Sequence, residues 1–210
     1  LHTGQVIIDL VMAVDKLPKS GGDVLAQSAS FEAGGGFNVM AAAQRNGLPV
    51  VYLGRHGTGR FGDLAREAMA AEGIHIGIAH SAGQDTGLCV AVTEASAERT
   101  FISYIGAEGE LTAQDLAGVK VEAGDYVYVS GYSLLHVGKA QAPLMQALLP
   151  RIDLWTSNGV EALHFTGATD IAQALVTLAD HLPDKVLLVV RDGPQGCWVS
   201  QGGIPQHVPG

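Results

Sequence analysis

An α/β fold, with a mostly parallel central sheet flanked by helices, is what this sequence predicts. Short apolar runs that end in turn residues alternate with amphipathic, alanine-rich runs along most of the chain, a pattern that lays helices over a parallel sheet. At 47% hydrophobic and 16% charged, 210 residues can bury the core of one such domain. Two stretches, residues 24–31 and 88–105, carry antiparallel signals that do not fit the parallel sheet, and they read as a separate small β-sheet flap.

The elements follow in order. Residues 5–10 form a buried strand with Asp9 near its end. Leu17-Pro18 through Gly21-Gly22 is a turn, and residues 24–31 alternate as a second strand. Residues 39–47 are short, Ala-rich and Gly-terminated, the pattern of a compact helix. A strand over 49–53 precedes an amphipathic helix over 60–72, with Phe61, Leu64, Ala68 and Met69 on one face and Gly73 as its stop. A weaker strand covers 74–78. Residues 88–93 and 99–105 make a hairpin over the polar turn 94–98. Strands are expected over 125–129, 151–155 and 186–190, helices over 139–149, 160–165 and 171–179, and a terminal hairpin from Cys197.

The charge of −9 and the lack of any basic run exclude a nucleic-acid surface. No apolar run approaches the roughly 20 residues of a membrane span, and Asp9 interrupts the only leader-like stretch. Cys89 and Cys197 are far apart and have no redox or metal spacing, which fits a reducing, cytoplasmic setting. The eight histidines show no ligand spacing, and neither GxSxG nor HExxH occurs.

Three motifs can carry chemistry. In Ala33-Gly34-Gly35-Gly36-Phe37-Asn38 the glycines let the backbone approach a ligand and then open a helix whose first turn has unpaired N–H groups. Asn38 can both donate to and accept from hydroxyls, although a turn that merely needs glycine would read the same way. The run Gly57-Thr58-Gly59-Arg60-Phe61-Gly62 matches GxGxxG between a strand and a helix, the setting of a dinucleotide fingerprint. Arg55-His56 separates it from the strand, and no acidic ribose ligand ends the next strand. Asn158-Gly159-Val160-Glu161 follows a strand, where α/β sheets bind ligands, and equally suits a helix start with an Asn cap. Gly138-Lys139 lacks the spacing of a phosphate loop.

Taken in order, these pieces resemble the PfkB (ribokinase-like) family of carbohydrate kinases. The series runs Asp9, Leu17-Pro18, Gly21-Gly22, Gly34 to Asn38, Gly47, Gly54 to Gly62, Thr86-Gly87, Glu98-Arg99-Thr100, Ser130-Gly131-Tyr132, Asn158 with Glu161 as NxxE, and Thr166-Gly167. The resemblance implies one ribokinase-like domain over 1–210, with a small β-sheet lid from strands at about 17–33 and 86–106. It implies transfer of the γ-phosphoryl of ATP, with Mg²⁺, to a hydroxyl of a sugar or sugar-like substrate. Asp9, Gly34, Gly35, Asn38 and Arg99 would bind the substrate. Asn158, Glu161 and Gly193 would bind the cofactor, with Glu161 meeting magnesium through water. A homodimer through the lid is a further expectation. Two alternatives stay open: a nicotinamide-dependent oxidoreductase using Gly57 to Gly62, and a non-catalytic sugar- or nucleotide-binding relative.

The sequence departs from the family at its GAGD-type run, whose aspartate is the base. Gly167-Ala168-Thr169-Asp170 looks like that run but sits directly behind the NxxE helix, so it reads as a turn before the next helix. The catalytic aspartate is therefore expected beyond Gly210, and the span from Tyr132 to Arg151 reads as shortened. These 210 residues alone are expected to turn over little.

Overall fold

The first strand, β1 (Val6–Val14), organises the amino-terminal part of the computed structural model, which describes residues 1–130, 149–202 and 204–210. Its sequence VIIDLVMAV is apolar on both faces except at Asp9, so it can be covered on both sides. It pairs antiparallel with β2 (Ser28–Gly35) and parallel with β5 (Leu88–Glu94), which turns antiparallel into β6 (Arg99–Tyr104). The order is β2-β1-β5-β6.

Three sequence expectations shift here. The first strand runs four residues past Leu10 and joins the flap strands rather than a separate central sheet. The second strand is Ser28–Gly35 and takes in the first two of the three glycines, because pairing with β1 outweighs their poor strand propensity. Residues 125–129 form no strand, only a parallel bridge from Tyr128 to His2.

Parallel pairing continues below that sheet. β3 (Val51–Tyr52) lies parallel to β4 (His75–Ile76), and His2 bridges both Tyr52 and Tyr128 in parallel. His2 N donates to Val51 O (2.9 Å), and Tyr128 N donates to Leu1 O (2.8 Å). Helix α1 (Gly36–Arg45) follows β2 directly, and α2 (Arg60–Ala71) follows β3. Val6, Ile8, Met40, Tyr52, Ala65, Met69 and Ile74 are buried together, so the two helices and β1 share one core.

Leu1–Val137 and Gly138–Gly210 form two compact units. In the second, β7 (Leu154–Asn158) runs parallel to β8 (Leu187–Arg191), and β9 (Cys197–Ser200) and β10 (Gln206–Val208) add antiparallel. β7 lies three residues beyond its expected place, since its polar Thr156-Ser157-Asn158 end is recruited by β8. Helices α3 (Gly159–Thr166) and α4 (Ile171–His181) also belong to this unit. Leu175, Leu178, Leu188 and Val190 are its buried centre, and truncating such a leucine to alanine costs about 2–5 kcal/mol. The helix expected over 139–149 lies outside the described residues apart from its last residue, and Gly131, Tyr132 and Gly138-Lys139 lie outside them altogether.

Candidate functional site

Asp9 stands at one level of the four-stranded sheet with Glu32 on β2, Cys89 on β5 and Ser103 on β6. Strand alternation puts these four side chains on one face. The Asp9 carboxylate lies over Gly34. A Cβ on Gly34 would stand 2.7 Å from Asp9 Cγ and closer still to Oδ2, so any larger residue would displace the acid. Gly35 has φ +63, a conformation glycine adopts without strain, and it turns β2 into α1.

No side chain caps α1, and Gly36 N donates to Gln5 O at 2.7 Å. Asn38 is exposed in the first turn, and its side chain has no hydrogen-bond partner among the described residues. Burial pushes the Asp9 carboxyl above its ordinary range, while the Cys89 thiol acts in the opposite direction. Asp9, Gly34, Gly35 and Asn38 therefore occupy one continuous strand–strand–helix corner, offering a carboxylate, close backbone and a free amide. That set suits neighbouring hydroxyls, which need both acceptors and donors.

Arg99 is not at this corner. It pairs with Thr93, which is level with Ala13. That is four residues from Asp9 along the strand, about 13 Å.

The glycine run after β3 is closed from within. Asp85 accepts from the N–H groups of Phe61 (3.1 Å), Gly62 (2.8 Å) and Thr86 (2.7 Å), and Thr86 Oγ1 accepts from Gly57 N (2.9 Å). The start of α2, where a pyrophosphate would bind, is already occupied by a carboxylate. Nothing in this geometry supports the nicotinamide alternative.

In the second unit, Asn158 ends β7 level with Arg191, which ends β8, and Gly193 lies two residues further on, exposed in a short turn. Asn158, Glu161 and Gly193 thus gather at the carboxyl ends of parallel strands. Asn158 Oδ1 accepts from Glu161 N (2.8 Å), and Glu161 Oε2 accepts from Asn158 N (2.9 Å). This capping box fixes both side chains, yet Asn158 Nδ2 and Glu161 Oε1 have no partner among the described residues. Those two groups could hold a phosphate oxygen and a magnesium-bound water. Among the described residues no cluster of three or more His, Cys, Asp or Glu could hold a metal ion by itself.

Sequence reasoning missed three residues here. Cys89 beside Asp9 depends on a parallel pairing that spans eighty positions. Asp85 closes a helix start from more than twenty residues away. Glu108, which with Glu110 reads from sequence as a solvated acidic loop, is instead buried and accepts from Gly87 N (2.8 Å) and Gly106 N (2.9 Å), tying the base of the β5–β6 hairpin. Burial above all raises its carboxyl above the ordinary range.

Comparison with known proteins points the same way. The model of the family described as pfkB family carbohydrate kinase matches residues 1–141. A protein named "Uncharacterized sugar kinase YegV", from Escherichia coli (strain K12), is 34% identical over 234 residues, covering 98% of this chain and 73% of that protein. Among solved structures, Arabidopsis thaliana ribokinase complexed with ribose and ATP gives a TM-score of 0.68 at 22% identity, covering 99% of this chain and 76% of that one. Adenosine kinase from Sinorhizobium meliloti gives 0.75 at 19% identity, covering 99% and 78%. These structural likenesses establish the ribokinase-like fold.

Proposed function

This chain belongs to the PfkB family of carbohydrate kinases, and from that premise we propose that it moves the γ-phosphoryl of ATP onto a hydroxyl of a sugar or sugar-like acceptor. The observation that carries the proposal is the corner where the Asp9 carboxylate rests on Gly34 at the foot of the Asn38 helix. Asp9 accepts hydrogen bonds from acceptor hydroxyls, Asn38 both donates and accepts, and Gly34 and Gly35 let the acceptor reach the backbone. Each buried hydroxyl needs such a partner, because leaving one unmet costs about 1–3 kcal/mol. Arg99 would meet only the distal end of a long acceptor.

On the nucleotide side, Asn158 and Gly193 contact the nucleotide, and Glu161 steadies a magnesium-bound water. Magnesium–ATP supplies the phosphoryl group and neutralises charge on its oxygens. The reading also includes a homodimer through the lid. The face of the four-stranded sheet opposite Asp9 exposes Phe31, Ile102 and Tyr104, and Ile102 is 70% exposed. Sedimentation of Ile102→Glu against the parent protein tests that association.

The experiment for the activity is coupled ADP release by the full-length protein with D-ribose, D-fructose and adenosine. Stimulation by at least one supports the proposal. ATP binding without stimulation by any hydroxylated acceptor would favour the non-catalytic alternative.

A further inference from the structure

We propose that a hollow on the face of the β3–β4 pair turned away from the core binds a small organic anion, a phosphate or carboxylate carried on an apolar body, at a place separate from the acceptor corner.

Strand alternation makes the hollow. Tyr52 and Ile76 turn inward to the core that holds Met40 and Met69, so Val51 and His75, one residue earlier on each strand, turn to the opposite face. There the residues that follow the two strands and the segment 115–120 enclose about 630 Å³, within the range of small-molecule sites. The place is the carboxyl end of a parallel pair, the edge at which α/β sheets take ligands. Leu53 and Ile78 give the hollow an apolar wall. Gly77, which also lines it, is bare for reasons of space. Its φ lies outside the left-handed region, yet a Cβ there would stand 2.8 Å from Leu53 Cδ2 and 2.9 Å from Val51 Cγ1, so a larger residue fits only by displacing that wall.

Charge sets the class of ligand. In a chain of net charge −9, Arg55, Lys120, His75 and His80 line the hollow against a single acid among the described residues, Asp115. That acid is already committed. It accepts from Arg55 Nε (2.9 Å) and Nη2 (3.1 Å) and from Thr112 N (2.7 Å) and Oγ1 (2.7 Å). The pairing holds the guanidinium in one place and leaves Nη1 without a hydrogen bond among the described residues. Glu110 Oε2 stands 3.7 Å from Nη1, outside hydrogen-bond reach, and Glu110 does not line the hollow. Lys120 is exposed and makes no hydrogen bond or ion pair among the described residues. A held guanidinium, a free ammonium and two imidazoles can all donate to an anionic head group, while Leu53 and Ile78 meet its apolar body.

Titration calorimetry on the full-length protein, without ATP or magnesium, tests this with phenyl phosphate as the anion on an apolar body and benzyl alcohol as its neutral counterpart. Phenyl phosphate should bind the parent protein with a Kd below about 1 mM, and benzyl alcohol about tenfold more weakly or worse. Because Lys120 is exposed and unpaired, Lys120→Glu should leave the melting temperature unchanged and weaken phenyl phosphate binding by about tenfold or more. Asp9→Asn and Asn158→Ala should leave that Kd within about twofold. A parent Kd above about 1 mM overturns the inference, as does a Kd that Lys120→Glu leaves unmoved or benzyl alcohol binding as tight as that of phenyl phosphate. Binding lost in Asp9→Asn or Asn158→Ala and kept in Lys120→Glu would assign the anion to the acceptor or nucleotide groups, and overturns it too.

Discussion

The carboxylate of Asp9 lies on the Cα of Gly34, with the space of a missing side chain filled by the acid. The two residues are far apart in sequence and meet because β1 and β2 pair antiparallel. This contact gives Gly34 a part in the proposed acceptor site without any side chain of its own. Gly34→Ala should therefore act mainly on acceptor binding. We expect the acceptor KM to rise at least tenfold, about 1.4 kcal/mol, with a melting temperature only a few degrees lower. Steady-state kinetics beside a thermal melt check this.

Asp85 is expected to matter for stability and not for ligand binding. Asp85→Ala leaves the Phe61, Gly62 and Thr86 N–H groups without their acceptor. The loss should be about 1–3 kcal/mol in urea unfolding. NADH fluorescence should stay unquenched in both the parent protein and the variant. Quenching by the parent would revive the dinucleotide reading of the glycine run.

The capping box allows the structural role of Glu161 to be separated from the magnesium role proposed for it. Glu161→Gln keeps an acceptor for Asn158 N and removes the charge. Unfolding free energy should change by less than about 0.5 kcal/mol, while the magnesium concentration for half-maximal activity rises by about tenfold. A magnesium titration of both proteins decides it.

His2 should give the protein an acid-sensitive limb. Burial above all lowers its pKa from 6.5 to about 4. The folded state thus binds fewer protons than the unfolded chain between those values. Stability is full above about pH 6.5, falls as pH drops through the window, and levels off below about 4. The total is roughly 3 kcal/mol. His2→Asn retains an acceptor for Gly4 N and cannot titrate in this range. Urea unfolding at pH 7.5, 6, 5 and 4 should show the slope in the parent protein and a flatter one in the variant.

How much of this was legible in sequence depended on how local each feature is. The β5–β6 hairpin and α2 are encoded by neighbouring residues, through alternation around a polar turn and a 3.6-residue apolar face, and both appear close to where they were expected. The order Asp9, Gly34 to Asn38, Asn158, Glu161 was enough to indicate the family. The long-range pairings were not legible. Nothing near Gly34 marks it as strand, because its assignment depends on β1, and nothing near Ser157 marks β7, because its partner is β8. Cys89 carried only the absence of a redox or metal spacing, and the long-range register alone sets it beside Asp9. The Asn158–Glu161 pair shows a further limit. Its spacing signals a capping box as well as a ligand site, and the two uses share the same atoms' neighbours.

On the function proposed above, the Asp9–Gly34–Asn38 corner holds the acceptor and not the nucleotide. Its most direct test is the pair of Michaelis constants in Asp9→Asn and Asn38→Ala, measured on the full-length protein with the acceptor that best stimulates ADP release. The acceptor KM should rise by at least tenfold in each variant while the ATP KM stays within about twofold. A rise confined to the ATP KM, or no change in either constant, would contradict it.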